Sequence, residues 1–438
     1  MRYLRFFLQN RRFIAFGFLM SLGSSFGQTF FIALFGAEIR GAFDLGHGAF
    51  GTVYALATLT SAAVMVPAGQ LIDRVALRRY SLAVAGLLAL ACLWLAIAPP
   101  AAWPYLFIGF FLLRFAGQGL MSHTSVTSMA RYFDQGRGRA IALASLGFAA
   151  GEAALPLLAV TMMGILGWRQ TWGAAAAALA VVWIPSILWL LRGHAARHAA
   201  LRQPGAATGG SDATSGEWSR QEILRDGRFY LVLPALFAPS FMITGLFFHQ
   251  VHLVDAKGWP LSLFAGGFVF YAGAVVACSL LAGAAIDRLR AGGIFAYALV
   301  PLALGLLWLS LSREPMTAIG FMTLAGCSTG MFQTASSALW AELYGQRHLG
   351  AIRAMVAAVM VFSSALSPAV LGWLIDAGVT MEAIAMAFVA WVVFAVVLAR
   401  FAMGRRMTPR RRAGRMIEAV ENRSDRREDA GLGPIDRG

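Results

Sequence analysis

Twelve apolar runs divide this chain, and short charged segments separate them. The runs cover residues 13–37, 48–71, 80–98, 103–131, 139–164 and 170–191, then 229–254, 261–285, 293–312, 316–341, 350–375 and 380–402. An α-helix of about twenty residues crosses the hydrocarbon core of a bilayer, and each run reaches that length. The pattern predicts an all-α membrane protein of twelve transmembrane helices. The fourth and tenth runs are long enough to tilt or to protrude.

The separating segments alternate in charge. One side carries Arg2, Arg5, Arg11 and Arg12, the Arg74–Arg79 turn, Arg131, Arg137 and Arg139, and the segment Arg192–Arg228. It continues with Arg288, Arg290, Arg347, Arg353 and the tail from Arg405. The other side has Arg40, Arg169, Lys257 and Arg313. Positive loops stay inside, so both termini are expected in the cytoplasm, and an even number of spans agrees. The expected division is a six-helix bundle at 1–191, a cytoplasmic linker at 192–228, a second bundle at 229–402 and a disordered tail at 403–438. The linker holds the flexible stretch from Gln203 to Ser211, and Glu217–Arg228 reads as an amphipathic helix on the inner surface.

Composition narrows the class. The chain is 59% hydrophobic and 13% charged, whereas soluble domains are about 25% charged. Net charge is +15, but the arginines lie between apolar runs. They suit an anionic membrane leaflet and exclude a nucleic-acid face. Cys92, Cys278 and Cys327 fall inside apolar runs without paired spacing and read as free thiols. The run after Arg11 and Arg12 has no small-residue cleavage site and reads as the first helix. Nucleotide-binding and hydrolase signatures are absent, so neither an enzyme nor a transport ATPase is expected, and no cofactor or metal.

One charged turn occurs twice. Gly69-Gln-Leu-Ile-Asp73-Arg74-Val-Ala-Leu-Arg78-Arg79 ends one apolar run, and Gly283-Ala-Ala-Ile-Asp287-Arg288-Leu-Arg290 ends another. The glycine permits close helix approach, and the arginines hold the run's end in water or headgroups. Further pairs share their spacing: Phe30-Phe31 to Gly41 with Phe247-Phe248 to Gly258, Tyr54 with Tyr271, and Tyr132 to Pro156 with Tyr344 to Pro368. The duplicated turn resembles the loop between the second and third helices of the major facilitator superfamily, with Ala76 where that family usually has glycine. The resemblance covers about residues 10–402. It implies two six-helix bodies repeated in the same direction, with a substrate site between them near the bilayer midplane.

Residues present in one half only are the better site candidates. Arg114 in the fourth run has Gly326 as its counterpart, and Glu152 in the fifth has Ser364. An intramembrane guanidinium is costly, so it binds an anion, tunes a carboxylate or pairs with backbone carbonyls. Arg114-Phe-Ala-Gly117-Gln118-Gly119 is also similar to the superfamily's proton-linked fourth-helix pattern. Glu152 is the proton-site candidate, or else a protonated packing residue. His249, Gln250 and His252 share the seventh run and read as substrate ligands, a proton relay or satisfied interface groups. Gln28, Tyr54, Tyr271 and Gln333 are polar groups that line a cavity or join helices. Asp73, Arg74, Asp287 and Arg288 are expected at a cytoplasmic gate, or as topological anchors. Glu38, Arg40, Asp255 and Lys257 form the matching outer pair, or a solvated loop pair.

The resemblance implies a secondary transporter working by alternating access, without an enzyme activity. Arg131-Tyr-Phe-Asp-Gln-Gly-Arg137-Gly-Arg139 is similar to the entry of helix five in bacterial monocarboxylate and oxalate/formate carriers. The expectation is therefore a monomeric, proton-coupled symporter for a small organic anion in the bacterial inner membrane. Its partners would be the small-molecule substrate, protons and the lipid bilayer, with no nucleic acid. A proton/drug antiporter is the alternative within transport, and a transporter-like receptor is the alternative outside it. Glu152 stands where the drug antiporters usually have proline.

Overall fold

A computed structural model describes residues 2–99, 103–133, 136–193, 223–345 and 349–404. Most of the expected linker, the expected surface helix up to residue 222, Arg347 and the tail beyond 404 lie outside these residues. Among the described residues the chain is helical throughout, without a strand.

Helix α1 is a bent pair, Phe6–Gly27 and Thr29–Phe43, turned by 45° at the break. The first bundle continues with α2 (His47–Arg74), α3 (Leu77–Ile97), α4 (Trp103–Tyr132), α5 (Arg137–Leu166) and α6 (Trp168–Leu190). The second holds α7 (Gly227–Phe248, extended by Gln250–Lys257), α8 (Leu261–Leu289) and α9 (Ala291–Leu311). It ends with α10 (Met316–Tyr344), α11 (Leu349–Asp376) and α12 (Met381–Gly404). Ten of these are long and apolar enough to cross a membrane as they stand, and bent α1 makes eleven. The twelfth, α10, has 29 residues. Its Ser, Thr and Gln side chains lower its hydropathy because it faces protein more than lipid. Length and packing, rather than apolarity, make it a span.

The bundles repeat each other in their contacts. α1 packs on α5 as α7 packs on α11; α2 packs on α4 as α8 on α10; α3 packs on α6 as α9 on α12. Between bundles, α2 packs on α11 and α5 on α8, the exchange expected of two copies related by an axis along the membrane normal.

Small residues set the closest crossings. A Cβ on Gly27 would overlap the backbone of Gly117, and one on Gly117 would overlap Gly27 in return. α1 and α4 therefore touch backbone to backbone at the level where α1 bends. Between bundles, Gly51 of α2 lies against the Pro368 carbonyl of α11. Gly117→Leu is expected to lower stability by about 1–3 kcal/mol, the usual result of overpacking. Gly86→Ala, where a Cβ meets nothing within 4 Å, is expected to leave it unchanged. Thermal unfolding of the two variants in detergent compares them.

Candidate functional site

The bend in α1 starts at Gln28, whose backbone is extended (φ −83°, ψ 151°). An interrupted helix leaves carbonyls without an intrahelical partner. The Gly27 carbonyl is one of these, and Arg114 Nη1 donates to it at 3.2 Å. The same nitrogen lies 3.3 Å from Thr29 Oγ1. Arg114 begins a π-helical stretch of α4, Arg114–Met121. Such wide turns are frequent at functional sites, and here Arg114 and Gln118 line one cavity with Gln28 and Thr29 of α1.

Arg114 is 5% exposed. Its guanidinium carbon lies 5.4 Å from the centre of the Tyr54 ring, and the Tyr54 and Thr29 hydroxyls are 2.8 Å apart. No carboxylate pairs with Arg114 among the described residues, and its Nε has no partner. A carbonyl, a hydroxyl and an aromatic face stabilise the charge only in part. The positive charge remains unneutralised.

Arg114 lines a cavity of about 250 Å³ between the bundles. The first bundle contributes Gln28, Thr29, Phe30, Arg114, Gln118 and Glu152; the second contributes Ser240, Thr244, Phe247, Tyr271, Thr329 and Gln333, among others. Ser364, the counterpart of Glu152, also reaches it. Glu152 is half-buried at the cavity and forms no ion pair with Arg114. The Tyr271 hydroxyl donates to Thr329 Oγ1 at 3.2 Å. Gln28, Arg114, Glu152, Tyr271 and Gln333 thus come together, while Tyr54 stands behind the wall as the support of Thr29 and Arg114. Thr29, Gln118, Thr244 and Thr329 were not legible as site residues. Hydroxyls and amides at such positions mostly join helices, and only the break in α1 and the wide turn in α4 aim two of them inward. A larger hollow of about 440 Å³ lies near Arg11, Arg12 and Arg192, away from the seam.

His249, Gln250 and His252 lie outside this cavity, at the arginine-poor end of the seam. His249 Nε2 donates to the Pro368 carbonyl at 2.9 Å, and Gln250 Nε2 donates to the Phe30 carbonyl at 2.8 Å. The bundles are closed here. Asp376 at the end of α11 accepts from the backbone amides of His47 and Gly48 at 3.0 and 2.8 Å, capping α2 of the other bundle. Trp373 Nε1 lies 3.2 Å from Thr52 Oγ1. Lys257 stays within its own bundle, pairing with Glu382 at 2.9 Å and donating to the Leu309 and Ser312 carbonyls. Glu38 Oε2 is buried without a partner, and Arg40 and Asp255 make no ion pair among the described residues.

At the arginine-rich end no hydrogen bond or ion pair joins the bundles among the described residues. Each bundle has a contact of its own. Asp73 accepts from Arg131 at 2.9 Å, and Arg131 also reaches the Ile72 carbonyl. In the second bundle the charges are reversed: Glu342 of α10 pairs with Arg290 at 3.4 Å and caps the Ala291 amide at 2.8 Å. Arg74, Asp287 and Arg288 make no such bond among the described residues.

A family model described as the Major Facilitator Superfamily matches residues 17–352. No curated protein sequence matches the chain. Among solved structures, a bacterial homologue of the human lysosomal transporter Spinster, in an inward-facing and unoccupied conformation, superposes with a TM-score of 0.64 at 15% identity. The match covers 90% of this chain and 96% of that one. The nucleoside transporter NupG superposes with a TM-score of 0.64 at 14% identity, over 91% of this chain and 99% of that one. These likenesses share the fold.

Asp376→Ala is expected to loosen the closed end. Loss of a cap worth about 1 kcal/mol shifts a closed-to-open ratio about fivefold. The measurement is the reaction rate of a Thr52→Cys thiol with a membrane-impermeant reagent, with Cys278 and Cys327 replaced by alanine.

Proposed function

The chain belongs to the major facilitator superfamily, and from that premise we propose that it carries a small organic anion together with protons across the bacterial inner membrane. The chain is a multi-pass membrane transporter; substrate, coupling ion and direction are the parts proposed. The observation that carries the anion is Arg114, a buried cation that borders the inter-bundle cavity without a carboxylate partner. An anionic headgroup supplies the missing counter-charge through a charge-assisted hydrogen bond. A monocarboxylate is the simplest such solute.

Proton coupling follows from Glu152. A second negative charge in so small a space repels the anion unless the carboxylate is protonated. Proton and anion therefore favour each other's binding, the thermodynamic basis of symport. The two bundles, 1–191 and 229–402, rock as bodies about the cavity. With both termini in the cytoplasm, the closed arginine-poor end faces outward and the described conformation faces inward. Asp73–Arg131 and Arg290–Glu342 then lie at the cytoplasmic rims of their own bundles. The protein works as a monomer, since each chain holds a complete seam.

A second reading is an uncharged polar solute, favoured by the hydroxyls, amides and phenylalanines that make up most of the lining. A drug antiporter fits less well, because it calls for a larger and more apolar cavity. Thermal shifts of the purified protein separate these readings. Ligand at a hundredfold excess over Kd stabilises by about 2.7 kcal/mol. Small carboxylates are expected to raise the melting temperature of the native chain and to lose the effect in Arg114→Gln. A response to nucleosides or sugars alone would favour the second reading. Glu152→Gln is expected to abolish uptake driven by a proton gradient in proteoliposomes while leaving counterflow exchange measurable. Driven uptake that survives this change removes Glu152 from the coupling.

A further inference from the structure

Three histidines from the two bundles meet where the arginine-poor end is shut. His47 opens α2 of the first bundle; His249 and His252 lie on the last turns of α7 in the second. The ring centre of His47 lies 4.6 Å from that of His252 and 5.6 Å from that of His249. His249 is 3% exposed, and His47 Nδ1 is enclosed without a partner. Imidazoles packed this closely, one pair edge to face and the other tilted, fit together as neutral rings, and a charge on any one of them meets its neighbours and loses water.

The charged groups around the cluster come from three helices. Arg40 of α1 borders the same small hollow and adds a fixed positive charge. Asp255 of α7 and Asp376 of α11 oppose it, with Glu38 of α1 further off beside Asp255. Asp376 is already committed, since its two oxygens accept from the amides of His47 and Gly48. The closed seam therefore offers an added proton a crowded place beside a guanidinium, with His249 buried and His47 and His252 half-buried. Once the bundles part at this end, the same rings stand in water.

We propose that His47, His249 and His252 form a proton-binding site that governs the arginine-poor end, with protons binding more tightly when that end is open. A ligand that prefers one state shifts the population towards it. Acid on that side thus opens the protein to that side, where the cavity then loads its proton and its anion. The cluster deepens the proton-coupled reading and rests on it. It assigns gating protons to the seam and the transported proton to Glu152.

The test is a distance across the arginine-poor end in the full-length chain. Spin labels go on Gln170→Cys and Glu314→Cys, both exposed and in different bundles. Cys278 and Cys327 are replaced by alanine, and buried Cys92 is kept. Pulsed electron paramagnetic resonance at pH 8 and pH 5 then reads the ratio of open to closed populations. The expected rise at pH 5 is about tenfold, the effect of one group whose pKa differs by one unit between the states. His47→Gln with His252→Gln is expected to flatten the response, and each single variant to reduce it. His249→Gln retains a donor for the Pro368 carbonyl and serves where the double variant does not fold.

An unchanged ratio between the two pH values overturns the proposal. So does a response that persists in the histidine variants. Glu152→Gln is expected to keep the response; if it abolishes the response while the histidine variants keep it, the titrating group is Glu152 and the cluster has no gating role. A distance response without proton-driven uptake leaves the cluster standing and removes the symport reading.

Discussion

Backbone polar groups inside a bilayer must find partners within the protein, and this constraint decides where the structure departs from regular helix. Two of the departures lie at the seam. α1 breaks at Gln28, and the freed Gly27 carbonyl takes Arg114. α7 breaks at His249 (φ −99°, ψ 23°), and Gln250 beside it takes the Phe30 carbonyl of the other bundle. The break in α1 is satisfied by a side chain whose own burial would otherwise be costly. The broken backbone and the buried polar group depend on each other. Moving either to a lipid-facing position would leave both unpaired.

A duplicated scaffold makes the asymmetry meaningful. The helix contacts repeat between bundles almost one for one, so what does not repeat needs a separate cause. In the first bundle the α4 position holds Arg114; in the second it holds Gly326, where a Cβ would overlap the Tyr271 carbonyl. One position thus holds a charge at the cavity in one copy and a close backbone contact in the other. Glu152 and Ser364 differ in the same way, yet both reach the cavity. The cavity has symmetric walls and an asymmetric charge distribution.

Much of the fold was legible, because membrane spans announce themselves by length and apolarity. The twelve runs and their doubling follow from residue order alone. α10 shows the limit of apolarity as a signal, since a span surrounded by protein tolerates Ser and Thr. Arg114 and Glu152 stood out because intramembrane charge is rare. The histidines were harder to place. Helical spacing puts His249 and His252 on one face, but depth along α7 decides between cavity and seam, and depth depends on where the helix breaks. Lys257 and Asp376 were opaque for another reason. A charged residue near a span's end reads as a solvated anchor, and only tertiary contact separates a buried partner of Glu382 or a cap for α2 from a loop charge.

The two ends of the seam are held by different physics. At the arginine-rich end, Asp73–Arg131 and Arg290–Glu342 each lie inside one bundle, so they stiffen that bundle's rim and do not oppose the bundles' separation. Exposed pairs of this kind contribute little on their own. At the arginine-poor end the contacts cross the seam: an anionic cap on α2, a backbone crossing at Gly51 and aromatic rings packed between bundles. Phe50 and Tyr54 of α2 both pack on Phe248 of α7, at 5.0 and 4.6 Å between ring centres. Tyr54 also carries the Thr29 hydroxyl and faces Arg114. One tyrosine therefore touches the closure of the seam and the cation of the cavity at once. Separating α2 from α7 takes Phe248 away from Tyr54, while Thr29 and Arg114 lie in the same bundle as Tyr54. Tyr54 is thus a first-bundle side chain that borders both the closed end of the seam and the cation of the cavity.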